Sequence, residues 1–381
     1  MPQPDYEQSI VNLMASIATA YGGEEGAYPP LAALAGRMGA DRPVVLLIVD
    51  GLGDIFLKDH ADSFLWQHRQ GRLTSVFPPT TASAITSFFT GVAPQQHAIT
   101  GWHTYFKELG AVATVLPFIP RYRGASFTEA GVRPDQILDH TSLLADLSMP
   151  CHVVLPDNLV DSAYSKTLCG PASRHGYDSM AAMFNCVNSL LESGSSAFVL
   201  AYLAEFDSLA HEHGIGSDEV EGYFQLLDDS CRTFLPSFVE HGSTVLVSAD
   251  HGLIDTEPGH VIALEDHPQL AATLTLPLCG EPRCAYCYVH SDKRHDFERY
   301  VTGQLAFACQ LHRSSELIDQ GYLGMATPSP RLTERVGEYV LLMKGNYIIK
   351  DRLIGEKRFH QVGVHGGLSA EELFVPLIML E

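Results

Sequence analysis

Five short stretches of this chain hold side chains that could do chemistry together. In EFDSLAHEHG, Asp207 and His211 are separated by three residues, so a carboxylate and an imidazole can converge on one metal ion from a helical turn or a tight loop. In STVLVSADHG, Asp250 and His251 appear abruptly after an apolar run; a plain turn with an Asp helix cap would read the same way. Asp50 follows the apolar run Val44–Val49 and precedes Gly51. In FPPTTASAITSFFTG, Thr80 and Thr81 stand where a helical pattern begins. A hydroxyl there meets free backbone N–H groups and the positive end of the helix dipole, which favours a bound phosphate and an ionised hydroxyl. The alternative for that position is an ordinary Thr N-cap. His365 precedes a Gly pair in VHGGLS, where it could equally be a turn residue.

These residues need elements to position them. Val44–Val49, rich in β-branched types, reads as a buried parallel strand. Further strands are expected at 151–156, at 196–207 ending in Asp207, and at 243–252 ending in Asp250-His251, with a last strand at 373–380. Helical stretches are expected at about 176–193 and 217–236, and a helical lead-in carries Ile10, Leu13, Met14 and Ile17. Alternation of this kind implies an α/β fold with a mostly parallel central sheet and helices on both faces. Ligands bind outside the carboxyl ends of such strands, where three of the acidic candidates fall. Residues 256–355 read differently, with an alternating stretch at 271–290 and a helical one at 293–310. The expectation is a catalytic core of 1–255 and 356–381, with 256–355 inserted as a smaller α+β lobe or cap.

The bulk numbers narrow the function. The chain has 381 residues, 46% of them hydrophobic, with a formal net charge of −21. That is globular composition. The acidity argues against a nucleic-acid polymer as partner, since phosphate backbones call for basic patches. It leaves small phosphate esters open, because bound divalent cations would bring their own charge. No segment reads as a membrane span or a secretory signal, so a cytoplasmic setting without a membrane partner is expected. The eight cysteines are too sparse for a disulfide scaffold, and Cys284-x-x-Cys287 lacks an evident fourth zinc ligand. Lys107, Arg121 and Arg123 are candidate contacts for an anionic substrate. The sequence carries no code for oligomeric state.

The motifs are individually ambiguous, but their types and order together are specific. DG after the first strand, TT at a helix start, DxxxH, DHG and HGG before a terminal strand resemble the alkaline phosphatase superfamily, most closely its type I phosphodiesterase/nucleotide pyrophosphatase branch. The resemblance runs from about residue 43 to the C-terminus apart from the insertion. It implies an alkaline phosphatase-like fold and two divalent metal ions, zinc by the habit of this branch, with manganese tolerated. One ion would be held by Asp207, His211 and His365, and the other by Asp50, Asp250 and His251 with the Thr81 hydroxyl completing the set. It further implies hydrolysis of a phosphodiester or pyrophosphate bond, with nucleotide-like substrates, through a covalent phospho-threonine intermediate. Counting back from Thr90-Gly91 places the nucleophile at Thr81, with Thr80 as the fallback. The branch has aromatic-Pro-Asn after its threonine, and that Asn helps hold a phosphoryl oxygen. Here the positions are Ala82-Ser83-Ala84, which leaves Ser83 as a substitute. Alternatives on the same scaffold are a phosphomonoesterase or phosphonate hydrolase, a phosphomutase, and a non-catalytic metal-binding relative.

Overall fold

A computed structural model describes residues 2–23, 26–39, 42–192, 196–356 and 360–381. The central sheet has seven strands: β1 (Val44–Val49), β2 (Arg69–Thr74), β3 (Cys151–Pro156), β4 (Ser173–Tyr177), β5 (Phe198–Leu203), β6 (Thr244–Ser248) and β7 (Phe374–Leu380). Their order across the sheet is β2-β7-β6-β1-β5-β3-β4. β1 pairs in parallel with β5 and β6, and β3 with β4 and β5, while β7 runs antiparallel to both β6 and β2. The expected α/β class with a mostly parallel sheet is therefore what the chain adopts.

β1 and β5 are buried at every position, because a central strand covered on both faces must be apolar throughout. Register then decides where the polar residues emerge. Val44 lies opposite both Phe198 and Thr244, so β1, β5 and β6 end level with one another. Asp50, the turn after Leu203 and Asp250 consequently leave the sheet along one edge.

Four helices matter most for the site and the core: α1 (Ile10–Ala20), α2 (Thr81–Thr90), α3 (Glu205–His213) and α4 (Asp218–Glu240). α1 starts at a capping box in which Ser9 and Asn12 satisfy each other's backbone N–H groups. β5 ends at Leu203 and α3 begins at Glu205, so Asp207 sits in the first turn of a helix. The expected strand to Asp207 ran too far, since the apolar run hides the point where the chain turns. The helix expected at 293–310 spans Arg294–Gln304, and Cys309–Arg313 is a strand.

A second seven-stranded sheet stands beside the first. In order it joins 309–313, 339–343, 284–287, 279–281, 103–106, 111–114 and 119–120. Strands from 256–355 thus pair with strands from 102–150, through Gly280 opposite His103. The two stretches cross at glycines, where a Cβ on Gly101 would lie 2.6 Å from the Cα of Gly280. Cys284 and Cys287 pack into different apolar clusters, on opposite faces of their strand, so the CxxC does not converge on one ion. Among the described residues no helix is long and apolar enough to cross a membrane.

Candidate active site

At the shared strand edge, six predicted ligands and a threonine come together. Asp50 and Asp250 each commit one oxygen to hydrogen bonds and leave the other bare, and Asp207 Oδ1 is bare as well. Asp250 Oδ1 accepts from the Gly51 and His251 amides at 3.1 and 3.0 Å, while its Oδ2 has no partner. Asp50 Oδ2 accepts from the Tyr202 hydroxyl, and its Oδ1 has none. Asp207 Oδ2 lies 3.2 Å from His211 Nε2, and its Oδ1 has none.

The three histidines are oriented in one way. Nδ1 of His211 lies 2.7 Å from the Gly363 carbonyl, that of His251 3.1 Å from the Gly252 carbonyl, and that of His365 3.3 Å from the Pro79 carbonyl. A carbonyl oxygen only accepts, so Nδ1 carries the hydrogen in each ring and Nε2 is the free nitrogen. The rings of His251 and His365 stack at 3.8 Å, and those of His211 and His365 lie 5.2 Å apart. His251 Nε2 lies 3.4 Å from both Asp50 Oδ1 and Asp250 Oδ2. Lone pairs of nitrogen and oxygen therefore face each other across a few ångströms, which is stable only around a cation or a proton.

Two groups of ligand atoms lie within 4.8 Å of one another: Asp207, His251 and His365, and Asp50, Asp250 and His251. His251 reaches both groups, and His211 joins through Asp207. The mixed N/O donors, the bare oxygens and the carbonyl-tethered imidazoles all fit divalent cations such as zinc or manganese. The electrostatics agree. Burial, and then the charges of Asp250 and Asp207, push the Asp50 carboxyl well above the ordinary carboxylate range. Burial also raises the Asp207 carboxyl, against the opposing pull of His211 and His251, and burial followed by the two neighbouring imidazoles pushes His365 well below the usual histidine range.

The two threonines point in different directions. Thr81 opens α2, and its Oγ1 lies 3.1 Å from His251 Nε2. Thr80 is the N-cap but makes no side-chain cap bond. Its hydroxyl donates instead to Glu281 Oε1 at 2.5 Å, which also accepts from the Trp102 amide at 2.6 Å. The first-turn N–H groups of α2 are thus left without a side-chain cap, beside Thr81. Ser83 is fully buried two residues further along the helix, and its hydroxyl has no partner among the described residues.

Other candidates are spent elsewhere. Arg121 binds Asp351 at 2.6 Å and Glu356 at 3.0 Å, and Lys107 pairs with Glu334 at the surface. His97 is buried, accepting from the Ile99 amide and facing Ser87. Sequence reasoning passed over Tyr202, whose position in an apolar strand gives no sign of its bond to Asp50. It also passed over Glu281 and Arg283, where the signal was present: two charges around Pro282 in an otherwise apolar stretch.

Gly252 follows the Asp250-His251 pair because the chain is crowded there. A Cβ at this position would run into the Glu371 carbonyl. Gly252→Ala should cost about 1–3 kcal/mol of stability, read as a lower urea midpoint, because backbone must move to admit the methyl.

Comparison with known families decides the kinship. The model of the type I phosphodiesterase/nucleotide pyrophosphatase family matches residues 44–368, most of the chain. The chain belongs to that family. A comparison with curated proteins found no match. Among solved structures, murine ectonucleotide pyrophosphatase/phosphodiesterase 5 is 14% identical, with a TM-score of 0.63 over 88% of this chain and 87% of that one. The human counterpart is 13% identical, with a TM-score of 0.65 over 89% and 87%. Phosphonoacetate hydrolase from Sinorhizobium meliloti 1021 is 18% identical, with a TM-score of 0.63 over 89% and 90%. At these identities the structural likeness establishes a shared fold. Membership of the phosphodiesterase family places the chain among phosphoester hydrolases.

Proposed function

We propose that this member of the phosphodiesterase family is a two-metal hydrolase of phosphodiester or pyrophosphate bonds in small substrates, with Thr81 as nucleophile. One observation carries the reading: three bare aspartate oxygens and three carbonyl-tethered histidines gather at one place, and the Thr81 hydroxyl lies 3.1 Å from Nε2 of one of them, His251. Asp207, His211 and His365 would hold one ion, and Asp50, Asp250 and His251 the other; the ligand atoms of Asp207 and His365 also lie within 4.8 Å of His251, and His211 stands 3.2 Å from Asp207. When bound, the cations would supply Lewis-acid stabilisation of phosphoryl oxygens and a lowered hydroxyl pKa.

The chain's own residues do the rest. Thr81 Oγ1 gives up its proton to solvent and attacks phosphorus in line, forming an oxygen–phosphorus bond as the bond to the leaving alkoxide or phosphate breaks and that oxygen takes a proton from solvent. The uncapped N–H groups at the start of α2 receive a phosphoryl oxygen, an arrangement that could stand in for the missing Asn. Water then displaces Thr81 from the opposite side and returns its hydroxyl, so two inversions give net retention at phosphorus. The reading gains support from the murine relative, for which a structure of an inactive threonine-to-alanine variant is in complex with AMP.

The test is a substrate panel with added zinc or manganese. Bis-p-nitrophenyl phosphate should be cleaved faster than p-nitrophenyl phosphate and phosphonoacetate. The reverse order would favour the monoesterase or phosphonate hydrolase alternative. Dialysis against EDTA should abolish turnover and lower the Tm, since an ion that binds only the folded state stabilises it, and zinc or manganese should restore both. Unchanged activity after complete metal removal would refute the two-metal reading.

A further inference from the structure

Among the described residues, the buried arginines are paired with carboxylates. Arg121 lies against Asp351 and Glu356, Arg283 against Glu372, and Arg335 against Glu108. Lys350 is different. It is partly buried at the end of the short strand Ile348–Lys350, and among the described residues it forms no ion pair. Among the described residues its one hydrogen bond goes to Gln361 Oε1 at 2.7 Å. An ammonium carries three donors, so two remain.

Two independent routes place this ammonium beside the active site. On one side, Gln361 Nε2 stands 3.4 Å from Nδ1 of His211. On the other, the amide of Ile349 donates to the Pro282 carbonyl at 2.8 Å, which sets Lys350 alongside Glu281. Glu281 in turn accepts from Thr80, the neighbour of Thr81, at 2.5 Å. Lys350 therefore lies between the His211 flank and the Thr80 flank of the site. Burial lowers its pKa to about 8, which the charge of Glu281 only partly offsets. A protein with a net charge of −21 repels anions, and a cation at this place that forms no ion pair among the described residues works against that repulsion.

We propose that Lys350 binds a second anionic group of the substrate, a phosphate or a carboxylate carried in addition to the scissile phosphoryl group. This rests on the phosphohydrolase reading above and adds a substrate class: phosphoesters or phosphonates bearing a further negative group. Lys350 is thus a specificity-determining residue, and the scissile phosphoryl group itself stays with Thr81.

Ligand pairs that differ by one anionic group test the proposal. Calorimetry on zinc-supplemented Thr81→Ala protein, which should not consume the ligands, would compare AMP with ADP and methylphosphonate with phosphonoacetate. At least one pair should show tighter binding of the more charged member by about tenfold, the scale of a charge-assisted hydrogen bond. Adding Lys350→Gln should remove most of that gain and leave AMP and methylphosphonate binding unchanged; Lys350→Arg should restore part of it. The pair that responds identifies the group as phosphate or carboxylate. No gain in either pair, a gain that survives in Lys350→Gln, or an equal loss for both members of each pair would overturn the proposal. Failure of the phosphohydrolase reading would show separately, as wild-type protein that cleaves none of the panel substrates.

Discussion

Thr81→Ala should lower turnover of a diester by roughly 10³-fold or more, the scale on which loss of a catalytic nucleophile is felt. The expectation follows from direction as much as from type. Thr81 Oγ1 faces His251 Nε2 at 3.1 Å, among the bare aspartate oxygens, whereas the Thr80 hydroxyl is held by Glu281. Metal content should stay near that of wild type, because six Asp and His side chains remain. Thr80→Ala should keep activity within about tenfold, since it removes a single neutral hydroxyl from a bond to Glu281. Acid quench of the wild-type reaction should trap phosphothreonine at residue 81, and a chiral phosphorus substrate should show retention. A Thr81→Ala protein with full activity would eliminate the covalent route. A dead Thr80→Ala protein with an active Thr81→Ala protein would move the nucleophile by one residue.

Arg283→Ala should be among the most destabilising single substitutions in the chain, at about 3–5 kcal/mol, because it strands a buried carboxylate. Arg283 and Glu372 are both essentially without solvent exposure and form two bonds, Nε–Oε1 at 3.0 Å and Nη2–Oε2 at 2.7 Å. Glu372 Oε1 also accepts from the Gly367 amide at 2.7 Å, so the pair holds the loop that carries His365. Arg283 Nη1 further donates to the Tyr347 carbonyl at 2.7 Å, which ties the strand before Lys350 to the same hairpin. Urea unfolding should show the loss, and metal affinity should fall with it as the His365 loop loosens. The half-exposed pair of Arg294 and Glu338, 3.6 Å apart, is the control. Arg294→Ala should cost about 1 kcal/mol or less, since solvent already screens that pair. Equal effects of the two substitutions would mean that Arg283 contributes packing alone. Replacing Arg283 and Glu372 together by apolar residues should cost less than Arg283→Ala, because no charge is then left unpaired.

Several features were legible in the chain itself because they are local. An apolar run such as Val44–Val49 must be a buried strand, and the abrupt Asp50 after it must lie at its end. The same holds for Asp250-His251 after β6, and the helical spacing from Thr81 to Thr90 announced α2. The order of these motifs was enough to indicate the family. Boundaries were less legible where apolar sequence continues through a turn, as between Leu203 and Asp207. There the hydrophobic pattern reports burial, and burial does not distinguish the last residues of a strand from the first turn of a helix.

Sequence by itself therefore determined the family and the candidate side chains: aspartates and histidines at strand ends, with a threonine at a helix start. Only the tertiary structure decided how they are aimed. The choice between Thr80 and Thr81 depends on Glu281, which is 201 residues away in the chain from Thr80. The orientation of His211 depends on the Gly363 carbonyl, 152 residues away. The setting of Lys350 depends on Gln361 and on a hairpin that also holds the His365 loop. Residue type and spacing fix what a side chain can donate, accept or ligate. Which way it faces is set by hydrogen bonds to distant backbone and by the register of strands, and neither has a trace in local sequence.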